Sequence, residues 1–463
     1  MGFVFYDLET TGISPAFDQP LQFAAIRTDD SFVEIERVNL RCRIAPRIIP
    51  SPQALIVTGV TPAQLVDPEL PSLFEFTQTI MEMTERWAPA TWVGFNSIRF
   101  DEEVLRQAFF QNLQPNIYAT QFYGNNRLDI LTAVFAVWCR NPGLMHWPTD
   151  DTGRTTFKLD RLAPANGFNA HNAHDALGDV EATIHIARLI ANGDPALWSA
   201  ILHNRDKQNV MATLETFRPV ELVLRFGGGP PRAYVGCFCG TAAGNPTSAA
   251  FFDLEAADPE ALIEADDAAL FQAVDGTPQI IRSVATNKVP SLFPIANPDP
   301  DHLRKAALIA ANPAFRARVG EAMAARYVED PAAPPPPVEK QIYSGFYAKA
   351  DRDLLAEFQR ADWPRRRDIV GLLTDVRLRQ LGRRLIAFHA PEIMTADEAE
   401  QFEAFLRERW NAPEAAETEW TTIASATRAI AELRAKPGAD SGTLNEIAAF
   451  IRQRTVDRLF KAN

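Results

Sequence analysis

The 463-residue sequence predicts an α/β domain, followed by a small and mostly antiparallel β domain and then by an all-helical domain. Three observations support this order. Residues 1–192 alternate between strand-like segments and segments with helical periodicity, which is typical of an α/β layer fold. Residues 220–284 contain short strand-like segments separated by turns rich in glycine and proline. Beyond the prolines of residues 331–337, apolar residues recur every three or four positions, which indicates helices.

The α/β part is predicted to begin with three strands, because its first segments are rich in β-branched and aromatic residues. Ser72 and Glu75 have the spacing of a helix capping box, so a helix is predicted to begin there. Helical periodicity returns three times before the breaker residues at 191–195. The predicted strands cover residues 3–8, 21–27, 32–43 and 91–95, and the predicted helices cover residues 72–88, 100–111, 128–139 and 175–190.

The rest of the chain is predicted to form the two smaller domains. The β domain has predicted strands at residues 220–226, 232–239, 249–254 and 279–284, and helices between 300 and 326 close it. The proline run within residues 331–340 predicts an extended linker, because it can form neither a helix nor a central strand. Further helices are predicted over residues 351–360, 369–386, 396–409, 420–435 and 441–459. The predicted domains are residues 1–198, 199–330 and 341–463, since the length exceeds what one core usually serves.

Composition narrows the possible functions. The net charge of −13 argues against a surface that is basic throughout, so a polyanionic substrate would have to be drawn by a local basic groove. No segment approaches the roughly 20 apolar residues of a membrane span, and the N-terminus lacks the pattern of a signal peptide. We therefore expect a cytoplasmic protein without a membrane partner. The four cysteines are predicted to be buried free thiols, because Cys237-x-Cys239 alone lacks the ligands of a zinc site.

The first motif that carries chemistry is Asp7-Leu8-Glu9 in the first predicted strand. Side chains alternate along a strand, so both carboxylates point to the same face. Because the surrounding residues are apolar, these carboxylates would be costly to bury without a compensating cation, and oxygen ligands favour hard divalent metals. The turn that begins at Thr10 and Thr11 offers backbone N–H groups to the end of a nucleotide. Taken alone, an Asp-x-Glu pair is weak evidence for a metal site.

Two further motifs follow at positions where helices are predicted to begin. Asp101 comes five residues after Asn96, where the helix dipole favours a carboxylate. Asp179 lies within the helix predicted from Asp175, and His174 directly precedes that helix. Each motif alone is compatible with an ordinary helical acid. Together, in this order, the three motifs predict a two-metal site for the hydrolysis of phosphodiesters.

The order Asp-x-Glu, Asn-x4-Asp and His-x4-Asp resembles the histidine-bearing (DEDDh) branch of the DEDD exonuclease superfamily. The likeness to the bacterial exodeoxyribonuclease I family extends over essentially the whole chain, through residues 19–29, 94–104, 166–167, 172–176, 343–346 and 350–352. It implies an RNase H-like mixed sheet with flanking helices, an SH3-like second domain and a helical third domain. It also implies a monomeric 3′–5′ exonuclease that degrades single-stranded DNA to nucleoside 5′-monophosphates with two Mg²⁺ ions, for which Mn²⁺ can substitute.

The resemblance assigns roles to the five motif residues. It implies that Asp7 bridges both ions, that Glu9 and Asp179 complete one site, and that Asp101 supports the other. His174 would be the general base, to which imidazole is suited because its ordinary pKa of about 6.5 lies near the working pH.

Contacts to the strand and to a partner protein are also expected. Expected DNA contacts are Thr10, Thr11, Phe17, Arg27, Arg99, Phe100, Lys158 and Arg365, with Trp363, Arg366 and Arg367 as further candidates. Three of these, Arg365, Arg366 and Arg367, form an arginine run that is equally typical of a solvated helix face. The resemblance implies that Lys158 and Arg316 bind the acidic C-terminal tail of single-stranded DNA-binding protein. Lysine stands at 158 where arginine is more usual in the family, which removes bidentate geometry.

Two other functions fit the same residues. A 3′–5′ exoribonuclease could use the same site, because the motifs do not report which sugar is recognised. A non-catalytic single-strand binding protein could carry the acids as relics, although all five site residues are present.

Overall fold

The computed structural model describes residues 2–169, 175–327 and 334–454. The first part of the chain combines five strands with nine helices in the described ranges. Its strands are β1 Phe3–Thr10, β2 Pro20–Thr28, β3 Glu34–Arg41, β4 Thr91–Gly94 and β5 Asn126–Asp129. Its helices are α1 Pro52–Thr58, α2 Pro62–Leu65, α3 Leu73–Trp87, α4 Asp101–Gln111, α5 Ile130–Arg140, α6 Leu159–Ala165, α7 Ala176–Gly193, α8 Pro195–His203 and α9 Lys207–Leu214.

The five strands form one mixed sheet in the order β3-β2-β1-β4-β5. β1 pairs antiparallel with β2 and parallel with β4, and β4 pairs parallel with β5. Phe3 and Phe5 of β1 pack in the core cluster that includes residues of α5, α7 and α8, whereas Val4, Tyr6 and Leu8 pack with residues of α3 and α4. Helices therefore cover both faces of the sheet, and the predicted mixed α/β sheet is confirmed.

Local signals placed several elements correctly. The capping box at Ser72 and Glu75 is present, and it begins α3 as predicted. The helix predicted from residue 128 is wrong at its start, because Leu128 and Asp129 belong to β5 and pair with Val93 and Gly94. The strand β5 has only four residues, which is too short to show an alternating pattern in the sequence. The Asp129 side chain accepts the N–H of Leu131 and so caps α5.

The second part of the chain contains a five-stranded antiparallel sheet in the order β10-β6-β7-β8-β9. Its strands are β6 Val220–Leu224, β7 Arg232–Thr241, β8 Ser248–Asp253, β9 Ile281–Ala285 and β10 Leu292–Pro294. Its helices are α10 Pro259–Glu264, α11 Asp267–Asp275, α12 Pro300–Ala311 and α13 Pro313–Ala325. The sequence predicted neither α10 and α11 nor the three-residue β10. Asp258 and Asp266 cap the two missed helices.

The third part is helical wherever the structure describes regular secondary structure beyond residue 334. Its α-helices are α14 Lys349–Arg360, α15 Trp363–Leu372, α16 Val376–His389, α17 Ala396–Trp410, α18 Ile423–Arg434 and α19 Ser441–Gln453. The single helix predicted over 369–386 is wrong, because two helices meet there. Asp351 accepts N–H groups of Thr374 and Asp375 at the break, and Asp375 caps α16. Residues 331–333 of the predicted linker and 455–459 of the predicted last helix lie outside the described residues.

The three parts pack against one another. Leu355, Phe358 and Ile369 of the helical part share a core cluster with Phe74 and Ile80 of α3. The predicted boundary at residues 198 and 199 falls within α8, several of whose residues pack in the core of the first sheet. The domain limits therefore stay a prediction.

The sequence also predicted that the chain has no membrane span and that its cysteines are buried free thiols. Across residues 2–169, 175–327 and 334–454, none of the helices is both long and apolar enough to cross a bilayer. The four cysteines are free, and Cys42, Cys237 and Cys239 are buried as predicted, whereas Cys139 is half-buried.

Candidate active site

The carboxylates gather where parallel strands of the first sheet end. Asp7 and Glu9 lie on β1 opposite Ala24 and Gln22 of β2, and a register shift follows directly after Glu9. Helix α7 packs across β1 and β2 and brings Asp179 to the same face. One carboxylate oxygen from each of these three acids lies within 4.8 Å of the others. The prediction that a strand pair and a helical acid converge is confirmed.

Asp101 completes the set from the neighbouring strand. It is the first residue of α4, which follows the turn after β4, and its side chain is buried. Burial raises the pKa of this carboxyl, and the N–H groups of Asp101 itself and of Leu8 oppose that rise. After burial, the charge of Asp101 is the largest cause that raises the pKa of Asp7. All four acids therefore share one electrostatic site.

Burial and mutual repulsion make this site hold protons unless a cation is bound. Burial, followed by the charges of the neighbouring acids, raises the pKa of Asp7 well above its ordinary range. The same causes raise the pKa of Glu9 to about 8, with Asp179 as the strongest neighbouring charge. Burial also raises the pKa of Asp101 to about 7. Arg41 opposes the shift at Glu9. Such a donor set fits divalent cations, which take carboxylate oxygens and supply the missing positive charge.

Asp129 holds the turn that delivers Asp101, and sequence reasoning missed it. Its carboxylate accepts the N–H groups of Asn96 at 2.8 Å and Ile98 at 3.2 Å. Asn96 adopts a positive φ of 64°, in the left-handed region where asparagine is enriched. Burial raises the pKa of Asp129 to about 6, and the three N–H groups it accepts lower it. The sequence signal that could have indicated Asp129 is an acidic residue at the end of a short strand.

The turn after Glu9 is held by a second unpredicted acid, Asp18. Its carboxylate accepts the Thr11 hydroxyl at 2.8 Å and the N–H of Ser14 at 2.9 Å. A side chain on Gly12 would meet this carboxylate at 2.5 Å, so a larger residue would have to displace Asp18 from its partners. Ile13, in the same turn, is 89% exposed. An exposed apolar side chain beside the carboxylates is a further feature that sequence reasoning missed.

The expected contact through Thr11 is wrong. Its side chain is fully buried, its N–H donates to the carbonyl of Gln19 at 2.9 Å, and its hydroxyl is bound to Asp18. Thr10 is also buried, and its hydroxyl donates to the Gly12 carbonyl at 2.7 Å. A contact between Thr10 and the nucleotide therefore stays a prediction only for the Thr10 backbone.

The start of α7 is held by Gln22, a buried amide opposite Glu9. Its Nε2 donates to Asp175 Oδ1 at 2.9 Å, and Arg41 lies 3.7 Å from the same oxygen. Asp175 is the N-cap residue of the helix that carries Asp179. His174 lies outside the described residues, so its role as general base stays a prediction.

Of two aromatic residues expected to stack on bases, Phe17 is buried and Trp363 is half-buried against a core cluster. Phe17 is only 2% exposed; its ring lies 5.3 Å from that of Trp420, and the guanidinium of Arg409 also covers it. Trp363 stacks in parallel on His389 at 4.8 Å. Both residues were predicted from type alone, and long-range packing decides their exposure.

Two members of the arginine run are engaged within the helical part. Arg366 lies over the ring of Trp363 at 4.4 Å and donates to the carbonyl of Phe358 at 2.9 Å. Arg367 pairs with Glu398 at 2.9 Å. The interpretation as a structural helix face is therefore the better one for these two.

The remaining expected DNA contacts stay predictions. Arg99 is exposed and Phe100 half-buried immediately before Asp101. Arg365 is exposed and pairs with Glu357 at 2.8 Å. Arg27 lies on β2 opposite Val4 and three positions from Ala24, so its side chain leaves the face of the sheet opposite to that of Asp7 and Glu9.

The two expected partner contacts differ in availability. Lys158 is exposed at the N-terminus of α6. Arg316 on α13 donates to the carbonyls of Ile309 at 2.8 Å and Ala310 at 2.5 Å, and it lies over the ring of Phe217. Its guanidinium is thus partly committed to internal contacts, and both contacts stay predictions.

Comparison with known proteins identifies the family. Residues 4–187 match the exonuclease family model, and residues 336–454 match the model of the exonuclease I C-terminal domain. Exodeoxyribonuclease I of Escherichia coli is 31% identical over 389 residues, which cover 76% of this chain and 77% of that protein. The chain belongs to the exodeoxyribonuclease I family. The predicted family and the predicted exonuclease class are therefore confirmed.

Other members of the exodeoxyribonuclease I family agree with this assignment. The protein of Haemophilus influenzae is 38% identical over 224 residues, covering 48% of this chain and about half, 46%, of that relative. The structure of E. coli exonuclease I with a dA16 oligonucleotide superposes with a TM-score of 0.83 at 27% identity, over 98% of this chain and 100% of that chain. A structure described as SSB/exonuclease I in complex with an inhibitor superposes with a TM-score of 0.80 at 26% identity, over 99% of both chains.

Proposed function

We propose that this enzyme degrades single-stranded DNA from its 3′ end to nucleoside 5′-monophosphates by two-metal hydrolysis. The observation that carries the proposal is the convergence of Asp7, Glu9 and Asp179 within 4.8 Å, with Asp101 acting on the same charges. The E. coli relative has been solved with a DNA oligonucleotide, which supports DNA as the substrate.

The four carboxylates would hold two Mg²⁺ ions, with Mn²⁺ as a possible substitute. When bound, such ions acidify water and stabilise the charge on the leaving oxygen. Asp7 would contribute to holding both ions, because the charges of Asp101, Asp179 and Glu9 all act on it. Asp129 and Asp18 act as positioning residues, since each fixes the turn that carries or follows a ligand.

His174 would accept a proton from the attacking water. The water oxygen forms a bond to the terminal phosphorus as the bond from phosphorus to the 3′ oxygen breaks. The 3′ oxygen leaves on the shortened strand, and the released product carries the 5′ phosphate. The backbone at Thr10 would bind the terminal nucleotide, and Arg99 and Phe100 lie near enough to Asp101 in sequence to contact the strand.

The other parts of the chain complete this proposal. We take residues 1–198 as the RNase H-like exonuclease domain, 199–330 as an SH3-like β domain, and 341–463 as a helical domain, joined through 331–340. Lys158 and Arg365 would contribute to strand binding, and Arg27 could do so only where the strand passes the opposite face of the sheet. The exposed Lys158 and the less available Arg316 would bind the acidic tail of single-stranded DNA-binding protein, in line with the SSB complex of the relative. The enzyme would act as a cytoplasmic monomer.

A labelled-strand assay tests the proposal. A 5′-labelled single strand should shorten progressively with Mg²⁺ and remain intact with chelator, while a matched RNA strand should be degraded far more slowly. Asp7→Ala should abolish shortening but retain strand binding, and Asp30→Ala, at an exposed acid in the turn after β2, should behave like the parent. Equal degradation of RNA would favour the exoribonuclease, and binding without metal-dependent shortening of DNA would favour the non-catalytic alternative.

A further inference from the structure

A buried basic cavity lies between the exonuclease part and the helical part, outside the carboxylate site. Its volume is about 240 Å³. Among the described residues that line it are four arginines and no carboxylate. These arginines are Arg43, Arg47, Arg384 and Arg454. His389 also lines it, but burial lowers the pKa of that imidazole to about 4, so it is neutral at physiological pH.

Two of the four guanidinium groups are already satisfied. Arg43 donates to the carbonyl of Leu70 at 2.6 Å. Arg384 pairs with Glu339 at 2.8 Å, and the same carboxylate oxygen also lies 3.0 Å from Arg409. One oxygen of Glu339 therefore already serves two cations, and its charge also raises the pKa of Arg47, so a single carboxylate is shared among three guanidinium groups.

Arg47 and Arg454 are not satisfied. They are only 5% and 7% exposed. Within the described ranges, Nη1 of Arg47 and both Nε and Nη2 of Arg454 have no hydrogen-bond partner. Arg47 makes one side-chain hydrogen bond, to Gln111 at 2.7 Å, and the guanidinium of Arg454 lies over the ring of Phe450. Burial of a cation with unpaired donors is costly, so an anion in this cavity would be strongly favoured.

The lowered pKa values of Arg47 and Arg454 also favour an anion in this cavity. Burial and then the neighbouring cations Arg409 and Arg384 lower the pKa of Arg47 to about 9, although the carboxylates of Glu339 and Asp18 oppose that shift. Burial alone lowers the pKa of Arg454 to about 10, which leaves this group without a compensating carboxylate among the described residues. The cavity thus combines excess positive charge with free donors.

We propose that this cavity binds a small oxyanion of the phosphate class, held by Arg47 from the exonuclease part and Arg454 from the helical part. Guanidinium forks match the oxygens of phosphate in bidentate geometry, and two of them can share one tetrahedral anion. The volume is smaller than the about 300 Å³ at which sites for larger organic ligands begin, so an inorganic ion fits better than a nucleotide. Because its ligands come from two domains, the anion stabilises the interface between them.

Titration of the metal-free full chain with inorganic phosphate tests this site, with chloride at matched ionic strength as reference. Saturating phosphate should raise the midpoint of thermal unfolding by about 2 °C or more, and calorimetry should give one saturable site. Arg47→Met and Arg454→Met should lose both responses. The matched control is Arg452→Met, an exposed arginine on the same helix, which should keep them.

The outcomes separate the possibilities. Equal stabilisation of all variants, or no saturable binding to the parent, would overturn the proposal, as would binding of deoxyadenosine 5′-monophosphate where inorganic phosphate does not bind. A merely structural Arg454 would make the Met variant less stable without phosphate, whereas removal of an unpaired buried cation should leave it equally or more stable. If the variants fail to fold, parent crystals soaked in selenate decide: anomalous density between Arg47 and Arg454 supports the site, and its absence refutes it.

Discussion

Metal binding to the four-carboxylate site should release protons at neutral pH, and Glu9→Gln should reduce that release. A cation coordinates only the ionised form of a carboxyl, so any proton held by the free site must leave. With a pKa of about 8, Glu9 retains roughly nine-tenths of its proton at pH 7. With a pKa of about 7, Asp101 retains about half. The raised pKa of Asp7 adds to this release in the same direction.

The expected release at pH 7 is therefore at least about one proton per enzyme, and the share from Glu9 and Asp101 falls as the pH rises through about 7 and 8. The sign follows from the raised pKa values: apparent metal affinity increases as the pH rises through 7 and 8, and levels off once the carboxyls are ionised. Glu9→Gln should lower the release by close to one proton and flatten this dependence. It should also weaken metal binding, because one ligand is lost.

Calorimetric titration with Mn²⁺, repeated in buffers that differ in their enthalpy of ionisation, measures the number of protons released. Asp30→Asn, at the exposed acid of the turn after β2, is the matched control and should release as many protons as the parent. Zero release by the parent at pH 7 would show that the free site is already ionised. That result would refute the argument that burial and mutual repulsion hold protons there.

Three further predictions concern the residues around the metal ligands. His174→Ala should lower kcat by roughly 100-fold or more with little change in KM, because a general base acts on the chemical step; a rise in KM alone would contradict this in steady-state assays. Glu102→Ala should lower the free energy of unfolding by about 3 kcal/mol or more, because the buried Arg106 and Arg127 lose their shared partner; an unchanged urea midpoint would contradict it. Asp129→Asn should lower turnover roughly 10- to 100-fold with an unchanged circular dichroism spectrum, since it loosens the turn before α4; full activity would show that the turn holds itself.

The four acids of the candidate site could be predicted because short motifs and local geometry mark them. Asp7 and Glu9 share a face through strand alternation, and Asp101 begins a helix where its charge suits the dipole. The register of β1 against β2 and the packing of α7 then bring Asp179 to them. The ends of parallel strands meet at one edge of a sheet, so a correct order of strands is enough to predict convergence.

The supporting residues could not be predicted in the same way. Asp129 supports a turn 33 positions earlier in the chain, and Gln22 binds Asp175 across 153 positions. No local pattern marks such pairs. Phe17 is an aromatic residue of the type that stacks on bases, yet Trp420 covers its ring from the far end of the chain.

By itself, the sequence determined the order of α/β, β and helical parts, the four acids of the metal site and the family to which they belong. These are encoded in short-range periodicity and in motifs whose spacing is set by single strands and helix ends. Tertiary structure alone decided which aromatics and arginines remain exposed, and it placed Arg47 and Arg454 beside one buried cavity. The physical reason is that burial and charge compensation depend on contacts between residues hundreds of positions apart, and only the packed chain brings those residues together.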